Sequence, residues 1–459
     1  MKDLYTFQAL LPVPFYLGLI ILIANWYASR YITDSTDRKF FWRGLILRFV
    51  GAFFFTLVHK YVLQYGDTWV YYLCVKRVYE AFWTSPSVGI QIFFSEPGEY
   101  NPDTWDVVSR FPSNYYLRWS SLMVVKIGSF FGLLSGHSYW VVSLCMGTFA
   151  FSGMWAMYKG FIKLYPHLKE QIGFATMYIP SVFFWGSALM KDTVIMGALG
   201  WLTFSFLNIL VFRRWKLISL TVIVVASILI FRIKAYVMIA FLPSAGLLYF
   251  IQVRRRITNR VLRIMSTPFL LLFISVGAYF SQGAISEAAG KFALENIVET
   301  AIVYQQYHFG LVQGRGKGSS YDLGEIDPTL TGLIKTFPKA VNVALFRPYL
   351  WEVKNLQMII AAVESLGMLI FSLYILYNIG LGAFITGIFK NPIIVFCFIF
   401  AVIFAFAVGF STYNFGSLSR YRIPLLPFYV LSMIILNSEV SVPHSDSPAA
   451  GAIPSGSSA

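Results

Sequence analysis

Runs of about 20 mostly apolar residues, the length a helix needs to cross a bilayer, recur along this chain near 9–27, 42–64, 138–158, 171–190, 193–212, 215–231, 235–252, 264–281, 356–378, 391–411 and 420–437. Lipid offers the backbone no hydrogen bonds, so a spanning segment of this kind has to satisfy its own polar groups as a helix. The expected fold is therefore all-α: a polytopic transmembrane helix bundle with about eleven spans, built as one integral membrane domain over 1–437. Only 12% of the residues are charged, about half the share of a water-soluble domain, which leaves no room for a soluble enzyme domain of ordinary size. A further apolar stretch at 120–134 is shorter and carries Lys126, and reads as an interfacial or re-entrant helix. Two long segments separate the spans, 65–137 and 282–355, and juxtamembrane helices are expected in the first of them. Residues 438–459 are rich in Ser, Pro, Ala and Gly, and are expected to form a disordered tail. No small-residue cleavage site follows the first apolar run, which is expected to be retained as a membrane helix.

Where the charges fall sets the orientation. The formal net charge of +15 comes from short clusters between apolar runs rather than from one soluble face, which speaks for topology and anionic-lipid contact and against nucleic acid. Taking Arg254, Arg255, Arg256, Arg260 and Arg263 as cytoplasmic, the alternation also puts Arg213, Arg214 and Lys216, then Lys159, Lys163 and Lys169, then Arg30, Arg38, Lys39 and Arg43 on that side. The same alternation gathers 65–137, the turns at Lys191-Asp192 and Arg232–Lys234, 282–355 and 412–419 on the extracytoplasmic side. Cys74, Cys145 and Cys397 are far apart in apolar surroundings and read as packing residues.

Few polar residues on that outer side lack a routine role. Asp67, directly after the second span, reads either as the N-cap of a helix over 68–83 or as a general base whose pKa is raised by partial desolvation. Lys191 and Asp192 fill a minimal turn, either as a local ion pair or cap, or with Lys191 reaching a lipid-linked phosphate. Arg232 and Lys234 are cations where few are expected, and either snorkel or bind. Arg347 and Trp351, in Phe346-Arg347-Pro348-Tyr349-Leu350-Trp351-Glu352, form either an interfacial belt or a site in which Arg347 holds pyrophosphate or a sugar hydroxyl and Trp351 packs on a sugar face. Arg420 and Arg422 are helix-end anchors or a phosphate clamp. Gly314-Arg315-Gly316-Lys317-Gly318 lacks P-loop spacing and reads as a flexible basic loop. His59 and His137 lack an i,i+4 partner and read as polar packing, and Asp103 and Asp106 read as capping residues, with a cation or sugar-hydroxyl site as the alternative.

Gly66-Asp67 with Tyr71-Tyr72, then Arg110-Phe111-Pro112-Ser113-Asn114-Tyr115-Tyr116, and Ser419-Arg420-Tyr421-Arg422-Ile423-Pro424-Leu425-Leu426-Pro427 near the other end together resemble the GT-C class of polytopic glycosyltransferases, of the bacterial polyprenyl-phosphate-sugar-dependent, family 39-like kind. The resemblance implies a transfer of sugar from a polyprenyl-phosphate donor to a lipid or glycan acceptor at the extracytoplasmic face of the bacterial inner membrane. It also favours Asp67 as the base; Lys191, Asp192, Arg232, Lys234, Arg347, Trp351, Arg420 and Arg422, from their place on the outer side, are the candidate substrate-binding residues. Many members carry an Asp-Glu pair where this chain has Asp67-Thr68, so no metal ligand is assigned, no cofactor is expected and use of a divalent ion stays open. An O-antigen-type polymerase or ligase, a flippase or transporter of lipid-linked sugar, and a non-catalytic envelope subunit are the alternatives; no internal repeat supports the transporter.

Overall fold

A computed structural model describes residues 7–64, 66–265, 302–303, 305–306, 319–324, 327 and 329–441. Among them the chain is helical throughout, with no strand and one isolated bridge, Ser320 to Asn414. The first half supplies α1 (Val13–Tyr31), α2 (Ser35–Leu57, continued by a π turn over Val58–Leu63), α3 (Asp67–Thr84), α4 (Trp119–Leu134), α5 (Tyr139–Leu164), α6 (Lys191–Leu210) and α7 (Leu217–Arg254). The second half supplies α8 (Leu330–Phe346), α9 (Leu356–Ile379), α10 (Leu381–Lys390), α11 (Pro392–Ser411), α12 (Phe415–Tyr421) and α13 (Leu425–Ser441).

Six helices among the described residues are long and apolar enough to cross a membrane, or seven if α12 and α13, bent by 64°, make one span. Several long apolar helices of this kind fit a multi-pass membrane protein. The count is lower than the expected eleven for identifiable reasons. The run 171–190 is broken into a π turn over Phe174–Tyr178, a short helix Pro180–Trp185 and a non-helical stretch before Lys191, as Pro180 cannot donate its backbone N–H. The runs 215–231 and 235–252 are counted once, because α7 is continuous except at Lys234 (φ −147°, ψ 76°). The helix over 9–27 is present as α1 but is not among the six. The run 264–281 lies almost wholly outside the described residues, as do Tyr65, Glu287, Lys291, Glu295, Glu299 and the Gly314–Gly318 loop.

Side-chain contacts define two ends of the bundle. Lys234 meets Asp192 at the start of α6, whereas Phe206, near the far end of α6, packs on Phe241 of α7 at 5.7 Å. Leu217 follows α6 by a short connection, and Arg255, just past α7, donates to the Lys390 carbonyl where α11 begins. The two arms of α7 therefore run in opposite directions along α6, folding back at Lys234. α5 and α6 lie close enough for Gly153 to approach Gly197 and Gly200 backbone to backbone, and a Cβ at Gly153 would meet the Gly197 carbonyl oxygen at 2.0 Å. The shorter helix α4 buries Leu122, Val125, Gly128 and Gly132 on one face and is too short to span. His59 stacks on Phe55, and Cys74 and Cys397 are buried in packing. α13 continues to Ser441, past the expected start of the tail at 438, and residues 442–459 lie outside the described set.

Candidate functional site

At the Lys234 end, four interruptions of helix meet. The π turn of α2 ends at Gln64 in a left-handed conformation and Gly66 follows at φ +147°. A Cβ on Gly66 would also lie 2.7 Å from the His59 ring, so only glycine lets the chain turn here and start α3 at Asp67. Gly66 is thereby the N-cap and Asp67 the first helical residue; its carboxylate does not cap the helix. It turns instead toward the bundle, where Tyr115 donates its hydroxyl to Oδ1 at 2.9 Å and Arg420 donates Nη1 to Oδ2 at 2.9 Å.

The same guanidinium bridges to a second carboxylate. Arg420 Nε donates to Asp192 Oδ2 at 2.6 Å, and Asp192 Oδ1 accepts from Lys234. Asp192 is 0% exposed and Lys234 5%. Buried charges of this kind persist only when paired and hydrogen-bonded, and the non-helical backbone at Lys234 is what delivers the ammonium to α6. Lys191 and Asp192 are adjacent but are not a local pair: Lys191 donates to the Ser120 hydroxyl at 3.1 Å, and among the described residues it makes no ion pair. The site thus gathers three cations, Lys191, Lys234 and Arg420, around two carboxylates, Asp67 and Asp192.

The expected upward shift of the Asp67 pKa is reversed. Burial does raise it, but the charge of Arg420 and the hydrogen bonds from Arg420 and Tyr115 outweigh burial and hold the carboxyl below its ordinary value. Asp67 is accordingly an ionised acceptor at neutral pH. Tyr115, to which its sequence motif assigns no role, is pushed up by burial and by the Asp67 charge and keeps its proton to donate. Its signal was its place in Pro112-Ser113-Asn114-Tyr115-Tyr116, although nothing in that string says where the hydroxyl points.

The other expected site residues go elsewhere. Arg232 is exposed and lies over the Trp119 ring at 4.1 Å, at the edge of the cluster beside Ser120. Arg422 is not a phosphate clamp: it is 1% exposed, pairs with Glu364 of α9 at 3.0 Å, and donates to the Ser365 hydroxyl and the Arg347 carbonyl. Glu364 also accepts from the backbone and hydroxyl of Ser181, so this pair ties α9 to the bend between α12 and α13 and to the short helix Pro180–Trp185. Arg347 is neutralised by Glu352, through Nε at 3.0 Å and through Nη2, so its fork is not free for pyrophosphate. Trp351 stands 81% exposed, stacked on Tyr349 at 4.7 Å. Tyr349 is held in turn by Asn342 at 3.1 Å. Asp106 pairs with Arg110, and the helix at Pro102 is capped by Asn101 rather than by Asp103.

No group of three or more His, Cys, Asp or Glu that could hold a metal ion is found among the described residues. Asp67 and Asp192 do not fit a divalent cation, since each already faces a guanidinium within a cluster that carries a surplus of positive charge. No protein-family model, curated protein or solved structure matches this chain.

Proposed function

We propose that the protein is a GT-C-like glycosyltransferase of the bacterial inner membrane, with about eleven crossings when the folded-back and broken segments are counted. In this reading a polyprenyl-phosphate donor and a lipid or glycan acceptor meet at the extracytoplasmic end. The observation that carries this reading is the 2.9 Å contact between Asp67 and Arg420 within a cluster that also holds Lys191, Asp192 and Lys234. A lipid-linked donor is reached from the bilayer, so a charged, half-buried cluster at one end of a helix bundle suits it.

The chemistry follows from charge. The acceptor hydroxyl gives its proton to Asp67 as its oxygen bonds to the anomeric carbon, and the bond from that carbon to the phosphate oxygen breaks. The donor phosphodiester carries one negative charge and the departing polyprenyl phosphate gains a second. Before transfer the cluster has one cation in excess, Lys191; once Asp67 is protonated it has two. The surplus rises in step with the charge on the leaving group, which is electrostatic stabilisation placed where charge develops. A low pKa makes Asp67 a weak base but keeps it ionised and ready, and the oxocarbenium-like character of glycosyl transfer reduces the demand on base strength. The exposed Trp351 on Tyr349 offers a face for an acceptor sugar ring, flanked by Glu352 and Asn342.

The test is transfer by the purified protein in liposomes from synthetic polyprenyl-phosphate sugars, with Asp67→Asn alongside. Loss of transfer with normal expression and folding supports the reading; full transfer by Asp67→Asn removes it. A flippase of lipid-linked sugar is the second reading, favoured by the interrupted helices at Lys234 and between α12 and α13. Movement of a labelled lipid-linked sugar across the bilayer, with no glycosidic bond formed, would select it. The polymerase alternative leans on Arg347, which Glu352 neutralises.

A further inference from the structure

At the end of the bundle away from Asp67, three carboxylates already have partners. Asp34 pairs with Lys169 at 2.8 Å and Asp37 with Lys159 at 2.7 Å, and Glu439 accepts from Asn391. The stretch 251–265 contains no acidic residue, and Arg254, Arg256 and Arg260 are exposed with no ion pair among the described residues. Arg255 donates Nη2 to the Lys390 carbonyl at 2.6 Å, which fixes this arginine row beside the last turn of α10. α10 is too short to span, and Leu381, Ile385 and Phe389, at i, i+4 and i+8, are all exposed on one face while Gly387 and Ile388 are buried. A helix of this type lies in the interface with its apolar face in the acyl layer, and a row of arginines next to it supplies the charge that an acyl-bearing anion would need.

We infer that the arginine row and α10 form one binding site for an anionic phospholipid, with the headgroup phosphate on Arg254, Arg256 and Arg260 and an acyl chain along Leu381, Ile385 and Phe389. Charge complementarity selects this occupant, since a zwitterionic lipid would satisfy the apolar stripe but not the cations. The site is independent of the proposed transfer reaction, and its test does not require activity.

The experiment uses the full chain in nanodiscs of phosphatidylcholine with and without phosphatidylglycerol, reading retained lipid by native mass spectrometry. The wild type is expected to retain phosphatidylglycerol over phosphatidylcholine by on the order of tenfold, and added salt should lower that preference. The R254Q/R256Q/R260Q variant should lose the preference while keeping its melting temperature in phosphatidylcholine. Should that variant fail to fold, a photoactivatable phosphatidylglycerol on the wild type is expected to label both 254–263 and 381–390, with inorganic phosphate at high concentration leaving the labelling in place. Equal retention of the two lipids, labelling elsewhere, or competition by inorganic phosphate alone would overturn the site and leave the arginines a role in topology only.

Discussion

Arg420 and Asp67 lie 353 positions apart in the chain and 2.9 Å apart in the fold. The contact closes the first and last parts of the chain onto one another, and the same guanidinium holds Asp192 at 2.6 Å. Arg420 is therefore both a link between helices and the charge that sets the state of Asp67. Its removal is expected to act on stability through Asp192 and, in the proposed transfer, on chemistry through Asp67.

The first prediction concerns the proposed base. Asp67→Asn keeps the size of the side chain and leaves the buried Arg420–Asp192 and Lys234–Asp192 pairs intact. Transfer is expected to fall by about 10²- to 10⁴-fold, the usual contribution of a general base, with melting temperature little changed. The rate in liposomes and the unfolding profile in detergent check the two halves of the statement.

The second prediction concerns pH. Arg420 and Tyr115 hold the Asp67 carboxyl below its ordinary value, so the ionised, productive form persists at neutral pH and is lost only as pH falls through that depressed value. The acid limb of kcat/KM is expected below about pH 4, the ordinary carboxylate range. Any stability contributed by the contact shares this sign: it is present above the unfolded pKa and disappears on further acidification. Arg420→Lys keeps the charge and should move the limb little. Arg420→Gln removes the largest charge that opposes burial and should move it up. A limb that stays fixed in Arg420→Gln would mean that another group controls the rate. Tyr115→Phe should shift it the same way by a smaller amount.

The third prediction separates packing from binding at Arg422. Glu364→Gln leaves the 1%-exposed guanidinium without its carboxylate, and breaking such a pair typically costs about 3–5 kcal/mol. Replacing both residues, as in Glu364→Gln with Arg422→Met, should recover part of that loss, because the desolvation cost of both charges is removed together. Thermal unfolding reads the coupling. The fraction that folds should show an unchanged donor KM, which an Arg422 ligand to phosphate would not allow.

The sequence made the ends of the helices legible and the depths of the charges less so. Asp67, Lys191, Asp192, Lys234 and Arg420 could be grouped from topology alone, since charges too costly for hydrocarbon must seek one another. What the pattern does not encode is which cation meets which carboxylate. Arg420 and Arg422 are two residues apart, one in the last turn of α12 and the other at its C-cap, where the 64° bend begins, and they reach different partners, Asp192 and Glu364. Lys234 reads as a turn between two spans; the helix is interrupted at that residue, and its ammonium points into the bundle at Asp192. Glu364 was hidden because a lone acid in an apolar run carries no periodic signal, and its partners are on distant segments. The lowered pKa of Asp67 escaped for the same reason: desolvation can be read from the neighbours in sequence, whereas a guanidinium from the far end of the chain cannot.

The fourth prediction bears on the acceptor. Trp351 is 81% exposed and stacks on Tyr349, so Trp351→Ala should leave stability within about 0.5 kcal/mol, as for most surface changes. If the ring carries an acceptor sugar, the variant loses one stacking face and its acceptor KM should rise about five- to tenfold, the scale of about 1 kcal/mol for an aromatic contact, while the donor KM stays put. Trp351→Phe should restore most of the loss, since it returns a stacking ring without the indole N–H. A purely interfacial tryptophan gives a different result: Ala and Phe then alter both KM values equally, or neither. Varying donor and acceptor separately on the same three proteins decides between a sugar platform and a membrane anchor.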